Sequence, residues 1–251
     1  MLAAAVAGVA LTVAFVMIER RSADPLMPLR LFRDRDLSAG VVTTFLFMAA
    51  FGTVVYFLMA YFQNVHGYSP LLTGIAYLVP MAAVIVGSNS GSRLATRFGM
   101  RATLRAGIGL GAVGAVWLGL AMSPTASYVA LVPAMLIFSL GQGLVYTTMF
   151  AAAAAGVPAH DQGIASGMAS SGQQIGGAVG LAVLVAVSNA GTDGYAGEAL
   201  RAAVTDGLRT AVFVAAAGIV AMLVAVRHFE RTPKTSSERQ ADPVPADASL
   251  E

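Results

Sequence analysis

The charged residues of this chain are confined to short stretches, and between them lie long runs without Asp, Glu, Lys, Arg or His. A bilayer imposes that separation, because hydrocarbon offers neither charges nor backbone polar groups a water partner. Only 11% of the 251 residues are charged and 57% are hydrophobic, whereas about a quarter are charged in soluble domains. Seven apolar runs stand out, at 2–18, 37–62, 71–88, 106–122, 128–152, 164–187 and 211–226. Each is close to the ~20 residues that carry a helix across a hydrocarbon core of about 30 Å. Their Ala, Gly, Val and Leu content, without alternation at every second position, predicts packed helices rather than barrel strands. The first run has no basic stretch before it, so it reads as a span with its start missing and not as a cleavable signal.

The basic residues orient these spans. Arg20, Arg21, Arg30, Arg33 and Arg35 follow the first run; Arg93, Arg97, Arg101 and Arg105 lie between the third and fourth; Arg227, Arg231, Lys234 and Arg239 follow the seventh. These are alternate connections, hence one side of a membrane, and they hold all but Arg201 and Arg209 of the fifteen Lys and Arg. The positive-inside rule predicts an amino terminus outside and a carboxy terminus in the cytoplasm. A net charge of +2 without a basic stripe interleaved with aromatics excludes a nucleic-acid partner. The absence of cysteine excludes disulfides and thiolate metal sites. From Thr232 the chain turns to Pro, Ser, Asp, Glu and Ala, too polar to bury a core, which predicts a disordered tail over 228–251.

Inside the runs the polar groups are neutral: Thr43, Thr44, Thr53 and Tyr56 in the second, Tyr77 and Asn89 in or near the third, Ser139, Gln142 and Tyr146 in the fifth, Ser166, Ser170, Gln173 and Gln174 in the sixth. The fourth and seventh have almost none. Amides and phenols are costly against lipid, so the second, third, fifth and sixth spans are expected to surround a polar cavity. The alternative is that each group only bonds one helix to another. Ser139, Gln142 and Tyr146 share one helix face by spacing, as do Ser166, Ser170 and Gln173. Pro80 and Pro133 interrupt their helices. Gly107 and Gly111, Gly163 and Gly167, and Gly172, Gly176 and Gly180 sit at spacings that let helices approach closely. Met48, Met59, Met81, Met135, Met149 and Met168 offer either an adaptable ligand surface or gap filling.

Three segments carry a family resemblance. The stretch Tyr61 to Gly74, YFQNVHGYSPLLTG, with Pro80 after it, resembles a span connection in the fourteen-span drug:proton antiporters of the major facilitator superfamily. Asp24 to Arg33, DPLMPLRLFR, is similar to their cytoplasmic connector, and Gly156 to Gly177 to their penultimate span. Ser92 to Arg101 resembles the superfamily loop motif G-x-L-x-D-R-x-G-R-R at Leu94, Arg97, Gly99 and Arg101, and departs from it at Ser92, Thr96 and Met100. The resemblance implies an all-α membrane fold of about seven spans. It divides the chain into a central linker helix (1–18), a cytoplasmic connector (19–36), a six-helix carboxy-terminal transporter bundle (37–227) and the tail (228–251).

It further implies export of lipophilic, often cationic drugs or antibiotics from a bacterial inner membrane by proton antiport. The proton-binding half would be missing from this chain, and a second transporter half or a homo-oligomer would complete the path. No cofactor is implied. Tyr56, Tyr77, Gln142, Tyr146 and Gln174 are the expected substrate-cavity residues, and Arg93, Arg97, Gly99 and Arg101 the expected conformational-switch loop. An enzyme is not expected: His66, His160 and His228 fall in loops or the tail, away from any serine within a span, and Lys234 lies beyond the membrane, where no retinal could reach it. A channel or receptor-like binding protein without transport coupling remains the alternative.

Overall fold

The computed structural model describes residues 2–22, 35–154, 161–191 and 194–229. Most of the expected connector, and the tail from residue 230 onward, lie outside the described residues. All regular structure among the described residues is helical: α1 (Leu2–Arg21), α2 (Arg35–Phe47), a π-helical turn (Met48–Gly52), α3 (Thr53–Asn64), α4 (Pro70–Ala76), α5 (Leu78–Phe98), α6 (Met100–Ala121), α7 (Tyr128–Ala154), α8 (Gln162–Asn189) and α9 (Gly197–Phe229). Six stretches among them are long and apolar enough to cross a membrane: 37–64, 70–98, 100–121, 128–151, 162–189 and 197–224. They correspond to the second to seventh apolar runs. α1 stands apart, with Leu11, Val13, Phe15, Met17 and Ile18 exposed.

Local chemistry sets the helix ends. The Ser69 hydroxyl accepts from the Leu72 N–H at 3.2 Å, and Pro70 occupies the first turn, where its missing N–H costs nothing. The interruption expected at Pro80 falls instead at Tyr77, between α4 and α5, so that Pro80 lies in the first turn of α5. Between α5 and α6 a single residue, Gly99, reverses the chain at φ 88°, a conformation in which a side chain would be strained. The loop expected around Arg93, Arg97 and Arg101 is thereby reduced to this glycine, and the arginines sit on the last turns of α5 and the first turn of α6. In the first bundle span, the Thr53 hydroxyl donates to the Ala49 carbonyl at 2.6 Å and reaches that of Ala50 at 3.1 Å. Thr53 closes the π turn, its backbone N–H also donating to the Ala50 carbonyl.

Glycines decide how closely the helices approach. α7 lies between α5 and α6. A Cβ on Gly143 would meet the α5 backbone at Val84, Gly87 and Ser88, and one on Gly141 would meet the α6 backbone at Gly107 and Gly111. Two hydroxyls tie the same seam, Ser88 Oγ to the Gly143 carbonyl at 3.3 Å and Thr147 Oγ1 to the Ser88 carbonyl at 3.1 Å. On the other side, Gly172, Gly176 and Gly180 of α8 face Val41, Phe45 and Ala49 of α2 and the adjoining π turn, and Thr44 Oγ1 donates to the Ala169 carbonyl at 2.9 Å. Gly163 and Gly167 share the spacing but have nothing within 4 Å of a built Cβ. Met135, Met149 and Met168 are buried as gap fillers, whereas Met81 is exposed.

Both arginines that break the charge asymmetry lie within α9, since that helix begins at Gly197, well before the apolar run expected from 211. Arg201 Nη2 donates to the Val65 carbonyl at 2.6 Å, at the end of α3, and Arg209 Nε donates to the Gly119 carbonyl at 3.0 Å, near the end of α6. Carbonyls at helix carboxy termini lack helical partners and carry partial negative charge. The two arginines fasten α9 to two neighbours.

Candidate functional site

Within the described spans, exposed serine and glutamine side chains are most numerous on one helix. Ser166, Ser170, Ser171 and Gln174 of α8 are exposed on the side away from Gly172, Gly176 and Gly180, and Gln173 is half-buried. Only 22% of the most apolar window of α8 is buried and 28% of that of α4–α5, against 50% for α6 and α7. A helix that shows serine and glutamine on an uncovered face is poorly suited to lipid there. α5 and α8 are among the spans singled out by their neutral polar groups.

The five expected cavity residues have different surroundings. Tyr56, Tyr146 and Gln174 are exposed, while Tyr77 and Gln142 are half-buried. Among the described residues, no hydrogen bond or ring contact joins any two of the five. Of the face Ser139–Gln142–Tyr146, Ser139 is buried and exposure rises toward Tyr146. Tyr146 belongs to an aromatic ladder across α7 and the first bundle span: Phe150 lies 5.6 Å from it, Phe47 5.9 Å, Phe51 5.3 Å beyond Phe47, and Phe138 5.4 Å beyond Phe51. Sequence reasoning singled out Tyr146 alone. Phe47, Phe51, Phe138 and Phe150 read as ordinary apolar residues, and the only sequence cue was the four-residue spacing of Phe47 and Phe51 and of Tyr146 and Phe150, which places each pair on one helix face. An open cleft of about 270 Å³ runs between α2 and α8, lined by Val41, Val42, Phe45, Met168, Ser171, Gly172 and Ile175. Phe47, Phe51 and Phe138 are buried, so only Tyr146 and Phe150 offer ring surface at the edge of the ladder, and the cleft wall, apolar apart from Ser171, suits an apolar guest.

At the far end of the first bundle span a second aromatic group forms around the YFQNVHGYSP segment. Phe62 stacks on Tyr68 at 5.4 Å, and His66 lies 4.8 Å edge-on to Tyr61. Tyr61 Oη donates to the Ser123 carbonyl at 2.5 Å and Tyr128 Oη to the Ala76 carbonyl at 2.7 Å, so both phenols are bound to backbone. His66 Nε2 is buried without a hydrogen-bond partner. Burial, and after it the nearby Arg201 guanidinium, hold this imidazole below its usual range. At the α5–α6 turn, Arg93, Arg97, Gly99 and Arg101 are all exposed, and the Arg97 guanidinium lies 5.2 Å from the centre of the Phe98 ring. The Thr96 hydroxyl, which replaces the acid of the loop motif, donates locally to the Arg93 carbonyl at 2.8 Å.

Comparison with known proteins agrees with this architecture. The sequence profile of the Major Facilitator Superfamily matches residues 1–181. The cephamycin export protein CmcT of Amycolatopsis lactamdurans is 38% identical over 76% of this chain and 40% of its own length. The puromycin resistance protein pur8 of Streptomyces alboniger is 33% identical over 87% of this chain and 44% of its own. The tetracenomycin C resistance and export protein of Streptomyces glaucescens is 34% identical over 68% of this chain and 31% of its own. The chain therefore spans less than half the length of these relatives. Among solved structures, a D-xylose–proton symporter superposes with a TM-score of 0.61 at 19% identity, over 83% of this chain and 50% of that one. The inward-open xylose transporter XylE of E. coli gives 0.58 at 20%, over 78% and 47%. With a profile covering most of the chain and a helical bundle superposing on about half of a transporter of the same fold, the chain is a multi-pass membrane protein that belongs to the Major Facilitator Superfamily.

Proposed function

We propose that this chain supplies the carboxy-terminal wall of a transporter that exports lipophilic, often cationic drugs or antibiotics by proton antiport. The observation that carries the reading is the uncovered Ser166–Ser170–Gln174 face of α8, a surface that suits a substrate path and not lipid. The antibiotic-export names of the relatives support the substrate class, and their greater length supports a missing amino-terminal half. In this reading 1–18 is the central linker helix, 19–36 the cytoplasmic connector, 37–227 the carboxy-terminal bundle and 228–251 the tail, with the amino terminus outside and the carboxy terminus in the cytoplasm of the inner membrane. The charge asymmetry supports this orientation, and the engagement of Arg201 and Arg209 with backbone carbonyls gives its two exceptions a structural role.

Tyr56, Tyr77, Gln142, Tyr146 and Gln174 contact the substrate through stacking and hydrogen bonds, as the bundle rocks against its missing counterpart. Arg93, Arg97, Gly99 and Arg101 form the switch at the cytoplasmic end. The proton is carried by the other half, or by a homo-oligomeric partner; the carboxylate well inside a described span, Asp206 of α9, is exposed and lies 3.4 Å from Arg209. The test is drug accumulation in a sensitive host that makes this chain alone, with an amino-terminal half, and with an uncoupler. Uncoupler-sensitive efflux that needs both halves is the expected result, and Gln142→Ala with Tyr146→Ala lowers it several-fold at unchanged membrane levels. Efflux indifferent to both substitutions removes these residues from the path.

A further inference from the structure

Pro80 removes a hydrogen bond from the span it belongs to. In a regular helix the amide of residue 80 would bond the Ala76 carbonyl, but proline has no N–H and its ring crowds that carbonyl. Ala76 is buried, and a buried carbonyl left without a donor is costly. The span is interrupted at the same place: α4 ends at Ala76, α5 begins at Leu78, and Tyr77 is the joint between them.

The missing donor comes from another helix. Tyr128 Oη, on the first residue of α7, donates to the Ala76 carbonyl at 2.7 Å. The Tyr128 ring lies 5.9 Å from that of buried Phe62, so α3 steadies the ring apart from the bond its hydroxyl makes. On the other side of the joint α7 also grips α5, where Gly143 lies against the backbone at Val84, Gly87 and Ser88 and two hydroxyl bonds close the seam. α7 therefore holds both arms of the interrupted span, α5 by a long seam and α4 through the Tyr128 hydroxyl. The α4 arm is only seven residues long, and Leu71, Leu72 and Ile75 on it are exposed.

We propose that Tyr128 is a positioning residue: by holding the carbonyl that Pro80 orphans, its phenol fixes the angle between α4 and α5, and with it the direction in which Tyr77 meets the substrate. The inference rests on the reading of Tyr77 as a substrate contact, and Tyr128 acts through Tyr77, not on the substrate. Gln142 and Tyr146 lie on α7 itself, so one helix sets the positions of three of the five substrate residues.

The chain has no cysteine, so spin labels at Leu71→Cys in α4 and Val86→Cys in α5, both exposed positions, report the distance across the joint in the full chain in lipid nanodiscs. Tyr128→Phe keeps the ring against Phe62, removes only the hydroxyl, and is expected to widen the distance distribution. Pro80→Ala returns an N–H to the Ala76 carbonyl, and in that background Tyr128→Phe is expected to leave the distribution unchanged. A distribution that Tyr128→Phe does not widen, or that it widens equally in the Pro80→Ala background, overturns the proposal. Drug efflux by this chain together with an amino-terminal half reads the link to substrate. At equal membrane levels, Tyr128→Phe is expected to raise KM about five-fold, the size of one neutral hydrogen bond, at an unchanged maximal rate, and to raise it no further once Tyr77→Ala is present. A lower maximal rate at unchanged KM, or a full KM effect in the Tyr77→Ala background, overturns it as well. Efflux absent with the unsubstituted chain breaks the transport reading and with it the link to substrate, whereas the distances alone decide whether Tyr128 fixes the joint.

Discussion

α7 and α8 are both long helices rich in small residues, and the bundle uses them in opposite ways. α7 is gripped from two sides, with Gly143 on the α5 backbone and Gly141 on the α6 backbone. α8 packs through Gly172, Gly176 and Gly180 against α2 and the adjoining π turn and, at its far end, through Ser188 against Gly207 of α9, and it leaves Ser166, Ser170 and Gln174 uncovered. Glycine spacing therefore shows that a helix can be approached closely, but the residues on its other faces decide whether it is enclosed or forms a wall.

The largest effect that tests this contrast is overpacking. Gly143→Val forces a side chain into the α5 backbone and is expected to cost about 3 kcal/mol or more, whereas Gly167→Val, with nothing within 4 Å of its Cβ, stays within about 0.5 kcal/mol. Thermal unfolding of the two purified variants in detergent compares them directly, and equal losses would erase the distinction between enclosed and open glycines. Next in size is Arg209→Ala, which removes the bond to the Gly119 carbonyl. The guanidinium is 35% exposed, so water replaces part of that bond and the expected loss is about 1 kcal/mol, read in the same melting experiment.

A smaller effect comes from pH. His66 is held below its usual imidazole range in the folded protein, so the unfolded chain takes up a proton first as pH falls. Its contribution is fully present above the unfolded value, about 6.5, and is lost as pH falls through the lower folded value. The melting temperature is expected to drop between pH 7.5 and pH 5, and His66→Gln is expected to flatten that part of the profile. A wild-type profile level over this range would remove the buried imidazole as a cause. The smallest effect is expected on the open face: Ser170→Ala changes stability by no more than about 0.5 kcal/mol. If it destabilises the chain as much as Arg209→Ala does, the α8 face is a packing surface and not a wall.

Much of the fold was legible because hydrocarbon permits few alternatives. The six bundle spans, the close packing of Gly107, Gly111, Gly172, Gly176 and Gly180, and the spans with polar groups all followed from where polarity is tolerated. The candidate site was less legible. Tyr146 could be singled out as polar within a span, but the phenylalanines that extend it into a ladder look like any other apolar residue until two helices bring them together. Arg201 and Arg209 read as loop charges, because sequence hydropathy ends a span where the charges begin and cannot see that neighbouring carbonyls accept them.

By itself the sequence determined that this is a membrane helical bundle, that six of its seven expected runs form helices long and apolar enough to cross, and which spans carry polar groups. Those properties depend on solvation of each segment, and solvation is summed over local residues. Only the tertiary structure decided that α7 is enclosed on two sides while α8 leaves a polar face open, and that two arginines fasten α9 to its neighbours. Those properties depend on which backbone carbonyl or ring lies opposite a side chain, and that is fixed by contacts between residues far apart in the chain.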